Sequence, residues 1–152
     1  MQPLNKSDIT LKGVKSFLAS DGLAFRATVY VRGVKAFVVE NHGDGGENMY
    51  SPFEGMRPVL AECEVWAESQ PPVLFEGVSL PYDLAFFIDA IMDEMETQKW
   101  LKRKCKGKTL YKLPGDADNT WRTVSHVYND YVKAYLLGKY PTAIIGNELI
   151  NS

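Results

Sequence analysis

The sequence predicts an α+β fold: an antiparallel sheet, built from an N-terminal three-stranded meander plus a second hairpin, with about three helices packed on one face. Three observations carry this reading. Residues 25–32 alternate apolar and polar side chains, the period of a half-buried strand. Two later stretches repeat apolar residues every three or four positions, the spacing of a helix with one buried face. Turn formers separate neighbouring strand-like runs, so hairpins join them and the sheet is antiparallel. The chain has 152 residues, 45% of them hydrophobic and 24% charged. That suits a single domain, assigned to residues 1–152, with one core.

The first strand is "DITLKGVKSFLAS", where Ile9, Leu11, Val14 and Phe17 stand among few helix formers and Gly13 suggests a bulge. Next, Phe25, Ala27, Val29 and Val31 alternate with Arg26, Thr28, Tyr30 and Arg32. Arg32-Gly33 reads as a two-residue turn, because glycine tolerates positive φ. The returning strand, Val34 to Asn41, then places Val31 opposite Val34 and Val29 opposite Ala36. Ser51, Pro52 and Glu54 resemble a capping box with proline at the first helical position. Pro58 offers the alternative of a helix that starts near Arg57. Val59, Leu60, Cys63 and Trp66 form its apolar stripe. "VLFEGVSLP" is a loop or a short strand. Pro81 and Asp83 open the longest helix, with Leu84, Phe87, Ile88, Ile91, Met92 and Met95 on its apolar face and an end near Gly107. "TLYKL" and "TWRTV" flank the turn-rich "PGDADN" as the second hairpin. Tyr128 to Leu137 is a third helix stopped by Gly138 and Pro141, and "TAIIG" adds a last short strand.

Charge is segregated along the chain. Residues 40–96 hold thirteen acids and one base, Arg57, a net charge of −12. "KWLKRKCKGKTLYK" then brings seven bases and no acid. Such a chain can present two faces of opposite sign, which steer partners over roughly 8–10 Å, or the blocks can partly neutralise each other within the fold. No stretch approaches the roughly 18–20 apolar residues needed to span a bilayer. The start, "MQPLNKSDIT", lacks an apolar signal region. Cys63 and Cys105 lie far apart without metal-ligand spacing, as in a reduced, intracellular protein.

The stretch "NHGDGGEN", residues 41–48, is the richest in chemistry-bearing side chains. His42, Asp44, Glu47 and Asn48 lack the alternating oxygens of a calcium loop. Acids follow the glycines where a phosphate loop needs a lysine. Glycines at 43, 45 and 46 suit a tight reversal after a strand, with Asp44 and Asn48 bonding to nearby backbone. A joint, a binding surface and a catalytic loop all remain open. His42 and His126 belong to no nucleophile motif. Cys63 reads as a small core residue, and the lysines around Cys105 are expected to lower its thiol pKa.

Two stretches together carry a resemblance. "FLASDGLAFRATVYVRGVKAFVVENHGDGGENMYSPFE" and "KTLYKLPGDADNTWRTV…YVKAYLLGKYPTAIIGNELIN" resemble uncharacterised small proteins of phages, plasmids and bacterial mobile elements, which carry a β-hairpin signature of the N-x-G-D-G-G type. The resemblance covers most of the chain. It implies a small accessory protein of mobile elements in the cytoplasm of a bacterial host cell, and it carries no catalytic residue.

The expected function is therefore that of a non-enzymatic binding protein of phage or mobile-element origin. It docks on and inhibits a host or defence protein, which itself handles nucleic acid, by imitating nucleic-acid charge. The contact residues are Asp44, Glu47, Tyr50 and Phe53 from the glycine-rich stretch, with Glu62, Glu64 and Glu68 from the following helix. The alternative is a nucleic-acid-binding accessory protein that uses Lys102, Arg103, Lys104, Lys106 and Lys108, with Trp100 and Tyr111 interleaved for stacking. A small metal-dependent hydrolase built on the loop acids is a third reading. No catalytic residue, metal ligand or cofactor is assigned, and no membrane partner is expected.

Overall fold

The computed structural model describes residues 2–118 and 120–150. Asn119, read above as part of the second hairpin's loop, lies outside them. The fold is α+β, with antiparallel sheets and three α-helices among the described residues. The chain divides into two compact units, Met1–Asp89 and Ala90–Ser152.

In the first unit, β1 (Ile9–Ala19), β2 (Gly22–Val31), β3 (Val34–Asn41) and β4 (Met49–Pro52) form one sheet in sequential order. The expected bulge in β1 is present: the register shifts between Lys12 and Lys15, where Gly13 has φ 62°. The β2–β3 turn is Arg32-Gly33, both left-handed at φ 51° and 78°, which matches the twist of the strands it joins. Val31 pairs with Val34 as expected, but Val29 pairs with Phe37, not Ala36. The reason is a second bulge. Tyr30 pairs with Lys35 and Val29 with Phe37, so Ala36 is the extra residue. Ala36 and Phe37 are both fully buried as a result.

Ser51 and Pro52 do not start a helix; they end β4. As an edge strand, β4 tolerates a proline that cannot donate to a ladder. The helix takes the alternative start. α1 (Arg57–Glu68) carries Pro58 in its first turn, where no N–H is required, and buries Leu60, Cys63 and Ala67. It packs on β3. "VLFEGVSLP" becomes a hairpin, β5 (Val73–Phe75) and β6 (Val78–Leu80), which forms a separate two-stranded sheet. α2 (Leu84–Lys104) follows. The Asp83 carboxylate caps it by accepting the Phe86 N–H at 2.8 Å. Trp66 of α1 meets Phe87 of α2 edge to face, with centroids 5.0 Å apart.

In the second unit, α2 ends at Lys104 rather than near Gly107, and the chain turns through Gly107 at φ 75°. β7 (Thr109–Lys112) is the middle strand of a three-stranded sheet, between β8 (Arg122–Val124) and β9 (Ile144–Ile145). α3 spans Asp130–Lys139, two residues later than the sequence suggests, because the Asn129 side chain accepts the Val132 N–H at 2.9 Å and fixes the start. Gly138 lies inside the last turn and does not stop the helix. Leu101, Cys105 and Leu110 form a buried cluster, with Trp100, Trp121 and Ile150 packed against it.

Gly43, just after β3, is the most tightly enclosed of the described glycines. A Cβ there would lie 2.5 Å from Ala19 Cβ and 3.1 Å from the Ala24 nitrogen, at φ +71°. Gly33, at φ +78°, has open space around it. Gly33→Ala is therefore expected to cost about 1–2 kcal/mol, from backbone strain alone. Gly43→Ala is expected to cost about 1–3 kcal/mol more, from overpacking. Urea denaturation of the two variants checks this; equal losses would contradict the close approach.

Candidate functional site

The glycine-rich stretch is first of all a joint between β3 and β4, and Asn41 organises it. Its side-chain amide donates to the Gly46 carbonyl at 3.1 Å and to Asn48 Oδ1 at 2.9 Å. Its Oδ1 accepts the Gly43 N–H at 2.8 Å. Asp44 Oδ1 accepts the Gly46 N–H at 3.0 Å. These are the local side-chain bonds that hold tight turns. The Gly43 carbonyl also accepts the Asp21 N–H at 3.0 Å, which ties the loop to the β1–β2 turn. The glycines thus reverse the chain so that β4 pairs with β3, Tyr50 opposite Val39.

That reversal builds a hollow of about 290 Å³. Glu47, Asn48 and Tyr50 line one side, Glu64 and Glu68 of α1 another, and Asp83 and Asp89 a third. Five carboxylates line it and no lysine or arginine does. Asn48 donates to Asp89 Oδ1 at 3.2 Å and so links the loop to α2. Tyr50 is half-buried and meets Phe37 edge to face at 5.9 Å. Its hydroxyl is shielded from solvent and makes no hydrogen bond of normal geometry among the described residues. Burial, with the nearby charges of Asp89, Asp83 and Glu64, pushes this phenol up to about 12, and the Asn48 side chain only partly opposes the shift. Tyr50 therefore stays neutral at physiological pH.

Of the contact residues expected from sequence, Glu47, Tyr50, Glu64 and Glu68 come together here. Asp44 is turned to its own loop. Phe53 is exposed, with the Lys35 ammonium 5.1 Å from its ring. Glu62 departs altogether: Arg32 holds it with two bonds, at 3.0 and 2.7 Å, and also donates to the Gln2 carbonyl. Asp83, Asp89 and Asn48 were not singled out as contact residues. The sequence marks Asn48 as a turn residue and Asp83 as a helix opener, and Asp89 only as one acid of the 40–96 window.

The basic run belongs to the second unit. Lys104 and Lys108 line a hollow of about 420 Å³ with Trp100 and Trp121. Lys102, Arg103 and Lys106 are exposed and do not line it. The Lys112 ammonium lies 4.4 Å from the centroid of Trp121. His42 lines a separate hollow with Lys15, Arg26 and Glu40. Among the described residues, no group of three or more His, Cys, Asp or Glu is placed to hold a metal ion. No helix among them is long and apolar enough to cross a membrane.

Both thiols are buried. Burial pushes Cys63 up to about 11. Cys105 corrects the sequence expectation. Burial raises its pKa, and the Leu110 backbone bond and Lys108 offset that only in part. The lysines that crowd it in sequence sit mostly in water, where their field is weak. In comparisons with known proteins, no family model, no curated protein and no solved structure matches the chain.

Two measurements check these placements. Arg32 holds the Glu62 carboxyl below its ordinary value, chiefly through their hydrogen bonds. The pair therefore supports the fold above the ordinary carboxylate range, and its contribution fades as pH falls through the lowered value. Carboxyl-carbon NMR should show the Glu62 midpoint rise in Arg32→Ala; an unchanged midpoint would contradict the pairing. Both cysteines should react slowly with a thiol reagent near pH about 8 and rapidly once the chain is unfolded. Fast native labelling of Cys105 would restore the lysine-activated reading.

Proposed function

We propose that the chain is a non-enzymatic binding protein of phage or mobile-element origin that acts inside a bacterial host cell. It docks on a host or defence protein and inhibits it. The acidic hollow receives a lysine or arginine that otherwise meets a nucleic-acid phosphate. One observation carries this reading: five carboxylates share a concave wall without a basic residue among its lining. The five carboxylate residues are exposed; like charges gathered on one concave wall repel one another, and a partner's cation relieves that repulsion. The field of the wall also speeds encounter with a basic surface. The resemblance of the loop and the C-terminal half to small mobile-element proteins supports the origin.

The tagged chain should capture a partner from bacterial lysate at about 50 mM salt and lose most of it near about 300 mM, where screening shortens the reach of charge. Glu64→Lys with Glu68→Lys should abolish capture, and Glu62→Gln, outside the hollow, should not. Capture insensitive to both salt and the double charge reversal would contradict the proposal.

A second reading has its own observation. Trp100 and Trp121 share a hollow with Lys104 and Lys108, the pairing of indole and cation that single-stranded nucleic acid uses. A gel shift with single-stranded DNA and RNA that disappears in Lys104→Glu with Lys108→Glu would favour it over the acidic hollow.

A further inference from the structure

The hairpin β5–β6 exposes its apolar side chains. Phe75 is 61% exposed, Val78 59% and Leu74 76%. Val73 pairs with Leu80 and Phe75 with Val78, so four apolar residues share one face of the hairpin, and Leu74 lies on the other. The tip is ordered by Glu76-Gly77, left-handed at φ 50° and 80°, and Pro71, Pro72 and Pro81 restrict the two connections. A two-stranded hairpin is at best marginally stable alone in water. An apolar face on such an arm calls for cover.

The arm's position in the chain ties it to the acidic hollow. It leaves from Glu68 and returns at Asp83, and both residues line that hollow. Charge then selects what covers it. Glu68, Glu76 and Asp83 surround the arm in sequence, and no lysine or arginine occurs between Arg57 and Lys99. A second copy would bring like charge to like charge, and an anionic membrane would repel the tip. A protein groove with an apolar floor and a rim of lysine or arginine complements both parts.

We infer that β5–β6 is the apolar anchor of the docking surface, seated in a basic-rimmed apolar groove of a partner protein while the neighbouring hollow takes a basic side chain. This rests on the proposed docking function and adds its desolvated contact. The arm inserts between the walls of the groove, so that Phe75 and Val78 on one face and Leu74 on the other supply the buried area that fixes residence time, and the carboxylates supply attraction. Tyr50, whose hydroxyl is hidden, and Phe53, beside Lys35, are not the anchor.

The test uses the full chain and two fluorescent peptides of equal positive charge, one alternating lysine with serine and the other lysine with leucine. Fluorescence anisotropy should show the leucine peptide binding about tenfold more tightly. The triple variant Leu74→Ser, Phe75→Ser, Val78→Ser should remove that advantage and leave the serine peptide unchanged. Glu64→Lys with Glu68→Lys should weaken both peptides. Hydrogen exchange on the unsubstituted chain gives a second measure: the leucine peptide alone should protect the Val73–Leu80 amides. An advantage that survives the triple variant, or amides that stay unprotected, overturns the arm and leaves the hollow standing. An advantage that persists when charge reversal has no effect overturns the hollow and leaves the arm. Binding of neither peptide overturns both. A dimer in sedimentation velocity, or binding to phosphatidylcholine vesicles, that the triple variant abolishes assigns the arm to a second copy or to lipid and overturns the inference.

Discussion

The side chain of Asn41 is the constraint on which the acidic hollow depends. Its amide and oxygen hold Gly43, Gly46 and Asn48 in one turn. Gly43 can enter that turn only because it lacks a Cβ, with Ala19 and Ala24 pressed against it. Once the turn is closed, β4 must run back along β3, Tyr50 must lie against Phe37, and Asn48 must reach Asp89. Glu47, Glu64, Glu68, Asp83 and Asp89 then gather around the same space. The glycines shape the site without contributing chemistry to it.

Two groups stand out among the acids of the first unit. Glu40 pairs with Arg26 on the sheet, and Glu62 of α1 pairs with Arg32 at the β2–β3 turn. The five of the hollow face a space that no lysine or arginine lines. Such pairing gives modest stability, because exposed ion pairs are weak. Concentration in a concave wall gives a directed field. Tyr50 feels that field as well as its burial, and both keep its phenol protonated. Between Glu68 and Asp83 of this wall the chain forms an arm whose apolar residues the fold leaves in water.

The sequence carried the β2–β3 hairpin, the β1 bulge and the second hairpin plainly, because alternation and turn residues are local signals. The Ala36 bulge was not legible: in "VKAFVV" any of several apolar residues could be the extra one, and burial of Phe37 decides it. Ser51 and Pro52 spelled a helix start, yet pairing with β3 outweighed that local signal. For the site, Glu62, Glu64 and Glu68 are grouped by the sequence as residues of one helix, but only Glu64 and Glu68, four residues apart, share a helical face. Glu62 was grouped with them, although two residues along a helix is more than half a turn, and it faces Arg32 instead. Asp83 reads as a helix opener, and Asp89 only as one of the acids counted in the 40–96 window. Only the fold of the glycine loop brings Asn48 to Asp89. The arm reads in the sequence as a loop or a short strand, and its exposure is not legible, since apolar residues of this size are ordinarily buried.

The central claim is that the five carboxylates of the hollow form one site rather than a diffuse negative surface. Titration of the isotopically labelled chain with the lysine–serine peptide, followed by backbone NMR, tests it most directly. The account predicts shifts concentrated at Glu47, Asn48, Tyr50, Glu64, Glu68, Asp83 and Asp89. Equal shifts at Glu54, Glu62, Glu76, Asp93 and Glu94 would contradict it, because the peptide would then be reading total charge and not the hollow.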